Sequence, residues 1–238
     1  MNIALVLAGG TGTRLGADTP KQYLKVKDKM IISYCLETFF SSKLIDAVCV
    51  VADPMWQEEI IDGIDNLVCK QEKDASTTNK FRGFSLPGAN RQLSIYNGLT
   101  DILKFAGDDS AVIIHDAARP LLSHELIEAC FKAYEGHDGA MPVLPMKDTV
   151  YMSEDGKVVS KLLKRETIFA GQSPEVFNLG KYYEATGALL PEKILSINGS
   201  TEPAIMAGLD IAIVDGDEMN FKITTKADLD RFERMVTE

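Results

Sequence analysis

Short apolar runs alternate with segments of helical periodicity along most of this chain. The apolar runs are rich in β-branched residues and predict strands; they are Ile3–Ala8, Ala47–Ala52, Ala111–His115, Ala140–Leu144, Ile168–Ala170 and Ile211–Val214. Apolar residues three and four positions apart predict helices between them; these cover Met30–Phe40, Pro54–Gly63, Arg91–Phe105, Ser123–Tyr134 and Lys226–Met235. Such alternation is typical of βαβ units, so we expect an α/β fold with a mostly parallel, twisted sheet flanked by helices.

Two segments break this alternation. Gln71–Ala89 is polar and predicts a mobile surface insertion. Lys147–Arg165 alternates around Asp155-Gly156, a turn signal of β-hairpins, and predicts a protruding antiparallel arm. The pattern leaves open whether this arm is an oligomerisation element or an ordinary surface hairpin. We expect one domain over residues 1–238 that includes the arm.

The charge balance narrows the range of partners. The 238 residues carry 25 Lys and Arg against 35 Asp and Glu, a formal net charge of −10. A general nucleic-acid binder needs a basic face that releases counterions, so we expect no nucleic-acid partner. A small phosphorylated ligand remains compatible with this charge, because a few local cations are enough for one pocket.

Cysteine usage and the N-terminus predict the compartment. The four cysteines have no CxxC pair and no short spacing to a histidine, which favours reduced thiols over a zinc site; they are Cys35, Cys49, Cys69 and Cys130. The apolar run at the N-terminus lacks a basic flank and is too short for a signal peptide or a membrane span. We therefore expect a cytoplasmic protein with no membrane partner.

A glycine-rich segment directly after the first predicted strand is the first candidate for chemistry. Glycines at a strand end bring backbone N–H groups close to a phosphate. A dinucleotide fingerprint fails because Leu15 replaces its third glycine, and no Lys-Ser/Thr follows to make a Walker A loop. Arg14 and Lys21 follow instead, so the segment predicts a cradle for a triphosphate with two cations near the reacting phosphorus.

Two further segments place charged residues at predicted strand ends. Asp116 ends an apolar run, where it is suited to hold Mg²⁺, to orient a substrate group or to cap a turn. His115 beside it is a general base or, more in keeping with its apolar surroundings, a structural histidine, and Arg119 is expected to brace the loop. Lys222 precedes the last helix, as an anion-binding group or an exposed cation.

Taken together, these motifs resemble the 2-C-methyl-D-erythritol 4-phosphate cytidylyltransferase family and its relatives, the ribitol-5-phosphate cytidylyltransferases. The segments that carry the resemblance keep their order and spacing along the chain; they are Ala8–Arg14, Pro20–Tyr23, Arg91–Leu99, His115–Pro120, Asp148-Thr149 and Asn220–Thr225. The resemblance implies a Rossmann-like nucleotidyltransferase fold, Mg²⁺, and a homodimer locked by exchanged arms. It also implies transfer of a cytidylyl group from CTP to a polyol phosphate, with release of pyrophosphate.

The resemblance also implies roles for particular residues. Arg14, Lys21 and Lys222 are expected to be catalytic, and Asp116 is the expected metal ligand. The expected nucleotide-binding residues are Ala8, Gly9, Gly10, Thr11, Gly12, Thr13, Arg14, Lys21, Gly88, Arg91 and Ser94. The expected acceptor-binding residues are Asp116, Thr149, Lys222 and Arg165, the last of which reaches the site of the partner subunit.

Departures from the family pattern concentrate on the acceptor side. Ser173–Phe177 replaces a Thr-Pro-Gln segment, Asn198–Pro203 replaces an acidic run, and Ala89 replaces an acidic residue of the base-binding loop. We therefore expect the Asn198–Pro203 loop to select the acceptor. The leading acceptor is 2-C-methyl-D-erythritol 4-phosphate, of isoprenoid precursor synthesis, and the alternative is ribitol 5-phosphate or a related polyol phosphate. Rivals of other classes are a dinucleotide-dependent oxidoreductase and an inactive CTP-binding regulator.

Overall fold

The computed structural model describes residues 1–10, 19–70 and 80–237. The strands are β1 (Asn2–Leu7), β2 (Lys25–Val26), β3 (Lys29–Met30), β4 (Ala47–Val51), β5 (Phe81–Ser85), β6 (Ala111–Asp116), β7 (Gly139–Pro145), β8 (Tyr151–Met152), β9 (Lys161–Leu162), β10 (Phe169–Gly171), β11 (Glu175–Asn178) and β12 (Ile211–Asp215). The α-helices are α1 (Ile31–Ser41), α2 (Pro54–Lys70), α3 (Arg91–Ile102), α4 (His124–Tyr134), α5 (Leu179–Gly187), α6 (Thr201–Met206) and α7 (Lys226–Thr237). Short 3₁₀ turns cover Lys21–Tyr23, Arg165–Thr167 and Lys193–Ser196.

A mixed, mostly parallel sheet forms the centre of the molecule, as expected. Its strand order is β10-β7-β11-β6-β1-β4-β5, and β12 also pairs with β7. The pairs β1–β4, β1–β6, β4–β5 and β7–β12 are parallel, whereas β11 runs antiparallel to both β6 and β7. Leu7 is in register with Asp116, so β1 and β6 end side by side. Ligands collect at the carboxyl ends of such strands.

Alternate residues of each central strand enter different hydrophobic layers. Ala4 and Val6 of β1 pack in one layer, with α1, α2 and α4. Ile3 and Leu5 pack in the other, with α3 and α5. Because the side chains of a strand point to opposite faces in turn, helices cover both faces of the sheet and leave its strand ends accessible.

The predicted helix starts are confirmed by their caps. The Ser123 side chain accepts a hydrogen bond from the Leu126 amide, and Thr225 accepts one from the Asp228 amide. None of the helices in the described ranges is long and apolar enough to cross a membrane. Cys35, Cys49 and Cys130 are buried free thiols, whereas the side chain of Cys69 lies outside the described part of the chain.

The structure corrects two predicted boundaries. Helix α2 continues past Gly63 because Ile64 and Leu67 pack into the core on the next turns. The predicted insertion Gln71–Ala89 is wrong for its second half, since β5 pairs in parallel with β4. Residues 71–79 of that insertion lie outside the described residues. Strand β11 and helices α5 and α6 were not predicted.

The predicted arm is an exposed hairpin. Tyr151 of β8 pairs with Leu162 of β9, and Gly156 adopts a positive φ of 70° in the turn. A positive φ is costly for other residues, which explains the Asp155-Gly156 signal. The residues of both strands are exposed, so the arm projects away from the two core layers.

Candidate active site

An open cavity of about 420 Å³ lies at the carboxyl ends of β1 and β6. Its walls contain residues from five of the segments that carry the family resemblance. The predicted residues in its walls are Gly9, Gly10, Lys21, Gly88, Arg91, Ser94, Asp116 and Lys222. Thr11, Gly12, Thr13 and Arg14 lie outside the described residues. The cavity therefore unites most of the expected nucleotide side with part of the expected acceptor side.

Asp116 is the electrostatic centre of this cavity. Its Oδ1 accepts a hydrogen bond from Arg91 Nε at 3.1 Å and lies 3.0 Å from Arg91 Nη2. Its Oδ2 accepts a hydrogen bond from Lys222 Nζ at 2.9 Å and lies 3.9 Å from Arg119 Nε. Burial alone would raise the pKa of Asp116, but these cations outweigh it and hold the pKa well below its usual range. Asp116 is therefore ionised, and the cations around it carry excess positive charge.

Capping interactions place two of those cations. Asn90 caps α3 by accepting the Leu93 amide at 2.8 Å, so Arg91 lies at the first helical position, beside the end of β6. Lys222 precedes α7, where Asp228 accepts hydrogen bonds from the backbone N–H and hydroxyl groups of Thr224 and Thr225. Arg91 at the start of α3 and Lys222 shortly before α7 are thus both placed to contact the Asp116 carboxylate.

The start of the glycine segment is fixed from behind by the 3₁₀ turn. Gln22 Nε2 donates to the carbonyl oxygens of Ala8 and Gly10 at 2.5 and 2.6 Å, and Tyr23 Oη donates to Ala8 at 2.8 Å. Ala8 is itself buried, so it supports the loop through its carbonyl group. The turn places Lys21 in the wall of the same cavity that Gly10 lines. Gln22 lies within the Pro20–Tyr23 motif, but its bracing role was not predicted.

The segment before α3 is close-packed against that helix. The Gly88 amide donates to Ser94 Oγ at 2.9 Å, and Ser94 Oγ donates to the Asn90 carbonyl oxygen at 2.9 Å. A Cβ atom at Gly88 would overlap Leu93 and the helix backbone. Gly88 and Ser94 therefore form one rigid wall of the cavity, which fits the role expected for them.

His115 has the surroundings of a structural histidine. It is fully buried, its Nε2 lies 2.9 Å from the Arg119 carbonyl oxygen, and its Nδ1 lies 3.4 Å from Ser173 Oγ. Burial lowers the pKa of His115 to about 4, so the imidazole is neutral near pH 7. Arg119 donates through Nη1 to the Asn220 carbonyl oxygen at 2.7 Å and so braces the loop as expected.

Thr149 and Arg165 lie apart from these residues. Both are exposed on the arm and its base, and neither is among the described residues that line the cavity. Arg165 Nη1 donates to the Lys147 carbonyl oxygen at 2.8 Å, across the base of the hairpin. One copy of the chain therefore does not bring its own arm residues to its own cavity.

The Asn198–Pro203 loop, which was expected to select the acceptor, directs two hydroxyl groups at a buried carboxylate. Ser200 and Thr201 are buried, and both donate hydrogen bonds to the buried carboxylate of Glu175. Neither is among the described cavity-lining residues. Sequence analysis noted Glu175 only as a departure; an acidic residue in front of the apolar pair Val176-Phe177 is the signal that was available.

Comparison with known proteins identifies relatives of this chain. The model of the IspD family, described as 2-C-methyl-D-erythritol 4-phosphate cytidylyltransferase, matches residues 2–238. Ribitol-5-phosphate cytidylyltransferase of Streptococcus agalactiae serotype III is 31% identical over 236 residues, which cover 99% of this chain and 95% of that protein. 2-C-methyl-D-erythritol 4-phosphate cytidylyltransferase of Geobacter metallireducens is 32% identical over 242 residues, with coverages of 99% and 97%.

Solved structures share the fold. The 4-diphosphocytidyl-2C-methyl-D-erythritol synthase from Anaerococcus prevotii superposes with a TM-score of 0.79 at 22% identity, covering 100% of this chain and 96% of that one. The Francisella tularensis 2-C-methyl-D-erythritol 4-phosphate cytidylyltransferase gives 0.77 at 24% identity, with 98% of each chain covered. At these identities the likeness establishes the fold alone.

Proposed function

The chain belongs to the 2-C-methyl-D-erythritol 4-phosphate cytidylyltransferase family, and from this we propose that its cavity binds CTP and a polyol phosphate together. The protein is a nucleotidyltransferase that transfers the cytidylyl group of CTP to the acceptor phosphate and releases pyrophosphate. The leading acceptor is 2-C-methyl-D-erythritol 4-phosphate, which places the reaction in isoprenoid precursor synthesis.

The observation that carries this proposal is the cluster of cations at the end of β6. Lys21, Arg91 and Lys222 line one cavity, and Asp116 is the carboxylate in its walls, in a protein whose net charge is −10. Local positive charge in an anionic protein favours small phosphorylated ligands over extended polyanions. The glycine backbone at Gly9 and Gly10 lies in the same wall, where it can approach phosphate oxygens closely.

Positioning and charge neutralisation are sufficient for this reaction. An oxygen of the acceptor phosphate attacks the α-phosphorus of CTP, and the bond from that phosphorus to the bridging oxygen of pyrophosphate breaks. The acceptor phosphate is already anionic at neutral pH, so the enzyme needs neither a catalytic base nor a covalent intermediate. The neutral, buried His115 is consistent with such a mechanism. Lys21, and Arg14 by resemblance, would stabilise the charge that grows on the α-phosphoryl group.

Magnesium remains part of the proposal, although the protein groups do not form a site for it on their own. The part of the chain that the structure describes holds no cluster of three or more His, Cys, Asp or Glu side chains suited to a metal ion. Both oxygens of Asp116, the expected ligand, contact cationic side chains. Mg²⁺ is commonly held largely by substrate phosphates.

The arm supports a homodimer as the active form. Its exposed side chains include five large apolar ones, which are unusual in a free hairpin; they are Tyr151, Met152, Val158, Val159 and Leu162. A second copy that exchanges arms would cover these side chains and bring its Arg165 and Thr149 towards the acceptor. We also propose a cytoplasmic location, which the buried free thiols of Cys35, Cys49 and Cys130 favour.

Ribitol 5-phosphate is the second candidate acceptor, because a ribitol-5-phosphate cytidylyltransferase matches nearly the whole chain at the same level of identity. The two acceptors differ in a methyl branch and in the number of hydroxyl groups. If an acceptor lacks the hydroxyl group that a buried protein group bonds, the site rejects that acceptor strongly. One methyl group, in contrast, changes the discrimination between acceptors by only about 1–3 kcal/mol.

Pyrophosphate release measured with each nucleoside triphosphate and each polyol phosphate tests the proposal. We expect release with CTP but not with ATP, GTP or UTP, and a CDP-polyol identified by mass spectrometry. CTP binding without turnover on any acceptor would indicate the inactive regulator instead. Preference for ribitol 5-phosphate would retain the activity and change the acceptor.

A further inference from the structure

A second carboxylate lies behind the cavity, between Arg91 and the start of α6. Glu175 is only 6% exposed, and its carboxylate accepts hydrogen bonds from Ser200 Oγ and from Thr201 Oγ1, the latter at 3.1 Å. Arg91 Nη2 lies 3.7 Å from Glu175 Oε2 and 3.0 Å from Asp116 Oδ1. One guanidinium group therefore joins two carboxylates, of which only Asp116 is among the described residues that line the cavity.

A carboxylate in this position is costly unless it is paired and hydrogen-bonded. Burial raises the pKa of Glu175, although Arg91 opposes the shift. Ser200 is 1% exposed and Thr201 is 6% exposed, so their hydroxyl groups have little water to bind in place of Glu175. The carboxylate is thus fixed by two hydroxyl groups on one side, while its charge is balanced by Arg91 on the other.

The placement of Arg91 matters because its guanidinium group can turn toward other anions. An arginine side chain has several rotatable bonds, and substrate phosphates in the cavity would compete with Asp116 for it. A fixed second carboxylate favours the orientation in which Nε and Nη2 both contact Asp116. Asp116 and its other partner, Lys222, then keep their places.

We propose that Glu175 is a positioning residue of the active site. Held by Ser200 and Thr201, it fixes Arg91 on Asp116 and thereby sets the geometry of the acceptor end of the cavity. The start of α6 thus acts on the acceptor through this chain of contacts. This role rests on the proposed function, since it concerns the same cavity.

Glu175→Gln is the direct test, because it keeps the size of the side chain and its capacity to bond both hydroxyl groups while removing the charge that attracts Arg91. We expect the Michaelis constant for the acceptor to rise about tenfold, with a smaller change in kcat and a melting temperature close to wild type. Thr201→Val, which removes one hydroxyl from Glu175 at equal size, should shift the same constant in the same direction by less.

A double-mutant cycle separates positioning from general stabilisation. In an Arg91→Lys background, Glu175→Gln should add little, because both changes break the same connection. Glu37→Gln is the matched control: it neutralises a carboxylate whose partner, Lys29, lies away from this cavity. The control should leave both kinetic constants unchanged.

Each outcome has a definite meaning. Wild-type constants in both Glu175→Gln and Thr201→Val, or an equal further loss in the Arg91→Lys background, would overturn the positioning role while leaving the proposed function intact. Wild-type protein that makes no CDP-product from CTP and any acceptor would overturn the proposed function, and the positioning role with it.

Discussion

The cavity at the end of β6 and the arm over residues 147–165 contrast in how they present charged side chains. In the cavity, Asp116 is 13% exposed at its side chain and contacts three cations held by helix starts and loops. On the arm, Arg165 is exposed and donates to a backbone carbonyl of the same hairpin. Both regions carry residues expected to act on one acceptor, yet only the first is organised within a single chain.

This difference shows which part of the site a single chain can complete. Contacts in the cavity are partly shielded from water, so a cation there interacts strongly with a substrate phosphate. An exposed arginine on a hairpin is screened and mobile until another surface covers it. We infer that the arm gains its function only when a second copy supplies that surface.

The largest effect should come from the cavity. Lys21→Ala should lower kcat by about 10²–10³-fold while weakening CTP binding far less, because its charge matters most when negative charge grows on the transferred phosphoryl group. The measurement is steady-state kinetics together with calorimetric titration of CTP. Lys25→Ala, at an exposed lysine of β2 outside this cavity, is the control for loss of a positive charge. A reduced CTP affinity with unchanged kcat would contradict the assignment of Lys21.

Sequence patterns identified the cavity residues because their signals are local. Lys21 follows a glycine-rich segment, Asp116 ends a buried strand and Lys222 precedes a capped helix, so each position can be placed from its neighbours. Arg91 was assigned to the site by the family resemblance, as the first residue of a predicted helix, and its contact with Asp116, 25 positions along the chain, was not predicted. Parallel strands bring their carboxyl ends together, which made the grouping of the glycine-rich segment with Asp116 predictable.

What sequence analysis missed depends on non-local pairing. Strand β11 enters the sheet between β6 and β7 in the antiparallel sense, and only this insertion brings Glu175 behind Arg91. Strand β5 was not predicted because Arg82 and Gly83 interrupt its apolar pattern. Gly63 was taken as the end of α2, although the burial of Ile64 and Leu67 stabilises further turns. Tertiary packing overrode a local signal at each of these places.

The next effect should come from the arm. Arg165→Ala should lower activity by about 10- to 100-fold, the range expected when a charged hydrogen bond to an anionic substrate is lost. Mixing Arg165→Ala with Lys21→Ala subunits should restore about a quarter of the wild-type sites, since each mixed dimer contains one site with both residues intact. Activity assays after confirmed subunit exchange measure this recovery.

Two results would contradict the proposal that the arm acts only in the site of a second subunit. A monomer in analytical ultracentrifugation at assay concentrations would exclude a shared site. Absence of recovery in confirmed mixed dimers would show that Arg165 acts within its own chain or not at all. Lys157→Ala, at the exposed tip of the hairpin, is the matched control and should retain full activity.

A smaller effect should come from disturbing the close packing of Gly88 against α3 in the cavity wall. Gly88→Ala would place a methyl group against Leu93 and the α3 backbone, so the wall must shift. We expect the Michaelis constant for CTP to rise about tenfold, because displacement of the wall misplaces the groups on it. Gly107→Ala is the control, since nothing lies within 4 Å of a Cβ atom there. Unchanged CTP kinetics in Gly88→Ala would show that this wall does not hold the nucleotide.

The smallest effect should be on the free energy of unfolding. It is measured by comparing two capping aspartates, one beside the cavity and one on the arm. Asp228 bonds Thr224 and Thr225 beside the cavity, and these bonds outweigh burial and lower its pKa to about 2. Asp155 accepts the Lys157 and Val158 amides in the exposed hairpin turn. Asp228→Asn should lower the free energy of unfolding by about 1 kcal/mol at pH 7, whereas Asp155→Asn should leave it unchanged because the hairpin contributes nothing to the core.

The pH dependence of the Asp228 effect has a definite sign. A carboxyl group with a depressed pKa in the folded state adds stability that is present above its unfolded pKa of about 4. That stability is lost as the pH falls from about 4 towards the folded value of about 2. Urea unfolding between pH 7 and pH 3 should therefore show wild type and Asp228→Asn converging at low pH. A difference that stays constant over this range would mean that the Asp228 charge does not stabilise the segment that carries Lys222.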